Sequence, residues 1–165
     1  MKWMKRLKIF NWQYFKEETF EVGKQTQISG PKGVGKSSIV DALQTLIVAD
    51  QRKVKYNMAA HGESTDRSLV KYIRGDIKGK DVLRPGAVTS YIIAEFWDDI
   101  KLESFIVGFV ADLFPDDSLK EEYFILAPLK LEELDLLNQS GSLLSGEEFR
   151  KYSDRFHLKQ RTFER

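Results

Sequence analysis

The run Gly30-Pro31-Lys32-Gly33-Val34-Gly35-Lys36-Ser37-Ser38 constrains this chain more than any other stretch, because it satisfies G-x-x-x-x-G-K-[ST] at every fixed position. Glycines at 30, 33 and 35 permit backbone turns that a side chain would block, so successive N–H groups can point inward at phosphate oxygens. Lys36 supplies a point charge for β/γ-phosphates and Ser37 a hydroxyl ligand for Mg²⁺, while a helix opening there adds the positive end of its dipole. Residues Gly30 to Ser38 together read as a loop for the phosphates of ATP with Mg²⁺. Such a loop needs a strand before it and a helix after it.

The helix is well marked. Ile39, Val40, Leu43, Leu46 and Ile47 recur at helical spacing from Lys36 to about Ala49, with no Gly or Pro between them. Upstream, Gln25-Thr26-Gln27-Ile28-Ser29 alternates and predicts a strand entering the loop, although it is more polar than a central parallel strand usually is. Leu7 to Phe15 alternates apolar and polar residues, and Thr19 to Val22 does so again after Lys16-Glu17-Glu18, which predicts a hairpin. Phe10, Trp12, Tyr14 and Phe15 lie near the loop in sequence. Core and sheet-face packing is the commoner fate of such rings and adenine contact the rarer one. Three further strands are expected at Thr89 to Trp97, Glu103 to Ala111 and Glu122 to Pro128, with Asp98-Asp99 and Asp116-Asp117 in the turns. Beyond them, Leu129 to Leu137 suggests a short acidic helix. Ser145-Gly146-Glu147-Glu148 fits a capping box that opens a helix carrying Phe149, Tyr152 and Phe156.

Asn11-Trp12 near the first strand, a strand entering the loop, and Ser38-Ile39-Val40-Asp41-Ala42-Leu43-Gln44 directly after it together resemble the N-terminal ATPase lobe of the SMC family. That family typically carries S-[NTS]-[IL]-[IVL]-D-A-[ILV] at this place. The phrase Thr65 to Gly75 narrows the resemblance to the condensin-like branch, near Wadjet JetC-type and MukB-like proteins. The resemblance covers most of residues 7–100. It implies an α/β P-loop NTPase fold of the ABC/SMC head type, with an added antiparallel sheet, as a single lobe over 1–165. Within it, 1–50 would hold strands, loop and first helix, 51–86 a basic excursion, 87–128 the antiparallel strands, and 129–165 an acidic linker and a C-terminal helix. It further implies ATP and Mg²⁺ as ligands and non-sequence-specific DNA contact. The implied partners are a C-terminal head lobe or second head and kleisin-type subunits, and the implied role is chromosome organisation or defence against plasmids and foreign DNA. Walker B, the catalytic Glu and the signature motif belong to another segment or chain in that family, so hydrolysis is expected only in their company. Leu144-Ser145-Gly146-Glu147 is similar to the signature only superficially.

Charge adds a second line. The formal net charge of +1 says little, but its distribution is uneven: nine basic against four acidic residues over 52–84, and three against fourteen over 85–148. The basic excursion can track a phosphate backbone, with Arg67 and Arg74 the contacts that the resemblance implies, or it can be a solvated face with a short helix at Ser68 to Arg74. The absence of cysteine excludes disulfides and thiolate metal sites, and His61 has no second ligand at metal spacing. No apolar leader or membrane-length run is present, so a cytoplasmic location is expected, and the resemblance implies association with the nucleoid if the chain is bacterial.

Two other classes stay open on sequence. Phe105 to Asp112 ends an apolar run on a carboxylate, as a Walker B segment would, so the chain could be a stand-alone P-loop NTPase or kinase that uses Asp112. Leu113-Phe114-Pro115, standing where a catalytic Glu is required, favours a hairpin instead, and the same applies to Asp98. Alternatively the chain is an interaction fragment that keeps the loop without binding nucleotide.

Overall fold

Period-two alternation in five of the predicted segments, and one strand that sequence reading passed over, build a single sheet. The computed structural model describes residues 1–50, 53–54, 56, 68–76 and 81–164. Its strands are β1 (Lys2–Trp12), β2 (Phe15–Glu21), β3 (Val88–Asp98), β4 (Glu103–Leu113), β5 (Leu119–Ala127) and β6 (Gln160–Glu164). All pairings are antiparallel, in the order β2-β1-β3-β4-β5-β6. Helices α1 (Lys36–Val48) and α2 (Leu69–Arg74) cover one face, and α3 (Gly146–Tyr152) helps to cover the other.

Because both faces of the middle strands are covered, alternation sorts side chains between two cores rather than between core and water. Leu7, Ile9, Trp12, Ile92, Ala94, Phe109, Ala111 and Leu113 face α1 and α2. Phe10, Tyr91, Ile93, Ile106, Val110 and Phe124 face Phe149 of α3 and Leu129, Leu131 and Leu136 of the connection before it. This explains why β3 and β4 look almost continuously apolar in sequence.

The predicted first hairpin, loop helix and three later strands are present, as is the capping box. Ser145 Oγ accepts from Glu148 N–H, and the Glu148 carboxylate accepts from Ser145 N–H. Three elements differ from expectation. Gln25 to Ser29 is exposed and has no ladder partner among the described residues, so it is not a strand. A strand's hydrogen bonds need a neighbour, and alternation cannot supply one. Leu129 to Leu137 forms only a 3-10 turn at Leu131–Glu133. The chain's last described residues form the edge strand β6, in which Gln160, Arg161 and Glu164 are exposed and only Thr162 and Phe163 half-buried, so there was little alternation to read.

One buried charge organises the far end of the sheet. Glu95 of β3 is fully buried, yet it accepts from Lys5 Nζ at 3.2 Å, Arg6 Nε at 2.9 Å, Ser104 Oγ at 2.7 Å and Leu131 N–H at 3.1 Å. Burial pushes its pKa upward, but the bonds from Ser104, Leu131 and Lys5 and the charge of Arg6 prevail, so the carboxyl titrates below its ordinary value.

Candidate phosphate-binding site

α1 begins at Lys36, directly behind Gly35, whose φ of 94° is left-handed. Gly30 and Gly33 also have positive φ, 147° and 90°. Gly35 is needed twice over. Besides its backbone conformation, a Cβ there would stand 2.8 Å from Cζ of Phe15, the first residue of β2. The loop is thus seated on the ring of Phe15, a supporting contact that the motif does not announce.

Residues 30–34 are exposed, whereas Lys36 and Ser37 are half-buried and Gly35 and Ser38 buried. Lys36 Nζ folds back over the loop and donates to the carbonyls of Gly30 at 2.7 Å and Pro31 at 2.6 Å. Ser37 occupies the next helical position. Three left-handed glycines, an ammonium across the loop and a hydroxyl in the first helical turn form a donor set that fits phosphate oxygens and a hard cation.

The face that α1 turns to the sheet is unusual in being partly polar: Ser38, Asp41 and Thr45 are buried beside Ala42 and Leu46. Trp12 Nε1 donates to the Ser38 carbonyl at 2.9 Å, and the Tyr72 hydroxyl donates to the Asp41 carboxylate. Thr45 Oγ1 donates to the Asp41 carbonyl at 2.9 Å and lies 3.2 Å from the Tyr56 hydroxyl. Burial raises the Tyr56 pKa to about 12, with smaller contributions from nearby acidic groups, so its hydroxyl stays protonated at neutral pH. Val40, Ile47 and Val48 are exposed on the outer side, as are Ile28 and Val34 before the helix.

The aromatic residues near the loop divide clearly. Trp12 is buried beneath α1, Phe10 lies in the core on the opposite face, Phe15 supports Gly35, and Tyr14 is exposed in the hairpin turn.

Asp112 corrects an alternative drawn from sequence. Its neighbours Ala111 and Leu113 point toward α1, so Asp112 points to the opposite face, where it accepts from Thr89 Oγ1 at 2.7 Å and from Gly146 N–H at 2.9 Å. It anchors the start of α3 and has the sheet between it and the phosphate loop. Asp98 likewise serves a turn, accepting from Ile100 N–H at 2.9 Å and Lys101 N–H at 3.2 Å. Glu121, whose pKa is raised by burial and by Asp50, does share the α1 face. Asp50, however, lies past the C-terminal end of α1, about 20 Å of helix away from Lys36.

Arg74 is also corrected. It is buried, with its guanidinium donating to the carbonyls of Arg84 at 2.8 Å, Gly86 and Phe114 at 2.6 Å and to the Asp117 carboxylate at 2.9–3.0 Å. Those donors are committed inside the protein and do not present themselves to a nucleic acid. The short helix predicted at Ser68 to Arg74 is present, with Ser68 as its cap. Arg67 and His61 lie outside the described residues. Arg84, not singled out from sequence, ties Asn11 Oδ1 and the carbonyls of Gln13, Phe15 and Ile73 together. Burial lowers its pKa.

A wide cleft lined by Phe10, Lys16, Thr89, Asp112, Lys120 and Arg150 opens elsewhere, and no residue of the phosphate loop lines it.

The family model of the P-loop containing region of AAA domains matches residues 4–63, a span that includes most of β1, and β2, the loop and α1 entire. That stretch of the chain is similar to a P-loop region, the part of such proteins that holds phosphate. No curated protein matches the chain. The P-loop region thus combines a complete phosphate motif with the geometry of an anion-binding helix start, which points to nucleotide and Mg²⁺ use in general. No helix among the described residues is long and apolar enough to cross a membrane.

Proposed function

We propose that this chain is the ATP-binding half of a condensin-like SMC-type head that acts on DNA. One observation carries the reading: the phosphate loop is complete, while the outer side of its helix and the segment entering it are left as if for a second layer. Val40, Ile47 and Val48 are apolar and exposed, and residues 25–29 have no ladder partner among the described residues. A C-terminal lobe that adds strands beside 25–29 and covers α1 would bury both, and would bring the Walker B and signature residues. Gly30 to Ser38 hold the triphosphate in this reading, with Lys36 on the β/γ-phosphates and Ser37 on Mg²⁺. ATP supplies the phosphoanhydride whose cleavage drives the head once the second lobe is present.

Calorimetry with Mg-ATP tests this directly. The chain is expected to bind and Lys36→Ala to lose at least about 100-fold in affinity, the worth of one well-placed charge-assisted contact. Steady hydrolysis by the chain alone would overturn the half-site assignment, and no heat at all would leave an interaction fragment.

For DNA, with Arg74 committed internally, Arg67 is the candidate that remains in the basic excursion. The expected outcome of titrating unrelated duplexes across a salt series is that Arg67→Ala flattens the slope of log affinity against log salt by about 0.9. A slope equal to wild type would remove Arg67 from the backbone contacts.

A further inference from the structure

We propose that Trp12 and Tyr72 are positioning residues, which fix the rotation of α1 about its own axis and so aim Lys36 and Ser37 at the phosphates. The proposal rests on the reading of the loop as a Mg-nucleotide site. Most surface helices are held by an apolar stripe, whose fit changes gradually as the helix rolls. Here the stripe toward the sheet is interrupted by polar groups, and two successive turns are held by directional bonds. The Trp12 indole reaches the Ser38 carbonyl, and the Tyr72 hydroxyl reaches the Asp41 carboxylate.

The two donors act as one unit because their rings stack with centroids 4.6 Å apart, and both side chains are fully buried. The unit is itself anchored. Trp12 ends β1, and the Tyr72 carbonyl accepts from Gln13 N–H at 2.7 Å, which fixes α2 to the hairpin turn. Hydrogen bonds weaken steeply as they bend, so a roll of α1 by a fraction of a turn would break both. Ser37 precedes Ser38 by one residue, about 100° around the helix, and its direction is set by whatever holds Ser38.

Trp12→Phe and Tyr72→Phe keep a stacked ring and each delete one donor. Each is expected to weaken Mg-ATP binding by up to about tenfold, the net worth of one hydrogen bond, and to weaken binding in EDTA by clearly less, because the Ser37 hydroxyl acts through Mg²⁺. Thr45→Val removes a hydroxyl from the same buried row two turns further on. It is expected to lower thermal stability comparably and to leave Mg-ATP affinity at the wild-type value.

A second readout follows the indole itself. In a Trp3→Phe/Trp97→Phe background, Trp12 emission is expected to change on Mg-ATP addition with the calorimetric Kd. Wild-type binding accompanied by unaltered affinity and Mg²⁺ dependence in both variants would overturn the positioning role alone. So would losses that merely track melting temperature across all three substitutions. Failure of the wild-type chain to bind Mg-ATP would instead overturn the reading of the site, and the positioning role with it.

Discussion

Arg74→Ala is expected to lower the stability of the fold by roughly 3–5 kcal/mol, the range for removing one partner from a buried charged network. The guanidinium donates to three backbone carbonyls and to Asp117, and its side chain is only 7% exposed. Asp117 is largely solvated, so little of the cost comes from the ion pair itself. Most comes from the carbonyls of Arg84 and Gly86, which lose the guanidinium beside a cavity, and from that of Phe114, which keeps only the Asp117 N–H at 3.0 Å. Urea denaturation would report it as a fall in midpoint, and melting as a drop of about 10 °C. A shift under about 2 °C, with DNA affinity reduced instead, would return Arg74 to the surface role that its charge first suggested.

Gly108→Ala is expected to cost about 2–4 kcal/mol, in the opposite sense to the usual effect of removing glycine from a strand. Gly108 pairs with Phe124 across β4 and β5, and a Cβ at 108 would overlap the Phe124 ring. That ring cannot simply tilt away, since Phe149 and Phe163 lie against it with centroids at 4.7 and 5.9 Å. The overlap therefore spreads through the core beneath α3, and the steric term exceeds the few tenths to one kcal/mol that lower chain entropy would return. A double-mutant cycle with Phe124→Leu checks the cause. Coupling that recovers a good part of the loss is expected, and a Gly108→Ala protein as stable as wild type would refute it.

Both substitutions concern properties that local sequence hides. The hairpin, the helix after the loop and the strands from Val88 onward were legible because alternation and helical spacing are local patterns. The loop was legible because its spacing is chemical. The fate of Arg74 was not, since a charge count says nothing about which carbonyls will surround a guanidinium. Nor was the burial of Ser38, Asp41 and Thr45, because the apolar residues that mark the helix, Ile39, Val40, Leu43, Leu46 and Ile47, do not single out the face that meets the sheet: Leu46 is buried there with Ile39 and Leu43 against the same core, whereas Val40 and Ile47 are exposed. Asp112 was half legible: its parity relative to Phe109 and Ala111 places it on the opposite side, once it is known which side α1 covers.

The strand order carries a lesson about modularity. β1 stands between β2 and β3, with β3 supplied by residues 88–98, and Arg84 clasps the β1–β2 turn from beyond α2. The stretch that bears the phosphate motif is therefore contiguous in sequence but is no cassette. Cut out at residue 63, it would keep every motif residue and lose the strand that pairs with β1 on its inner side, the helix that presents Tyr72 and the arginine that closes the turn. Grafts, truncations and library designs that treat the motif as a portable part would carry away the letters and leave the scaffold behind.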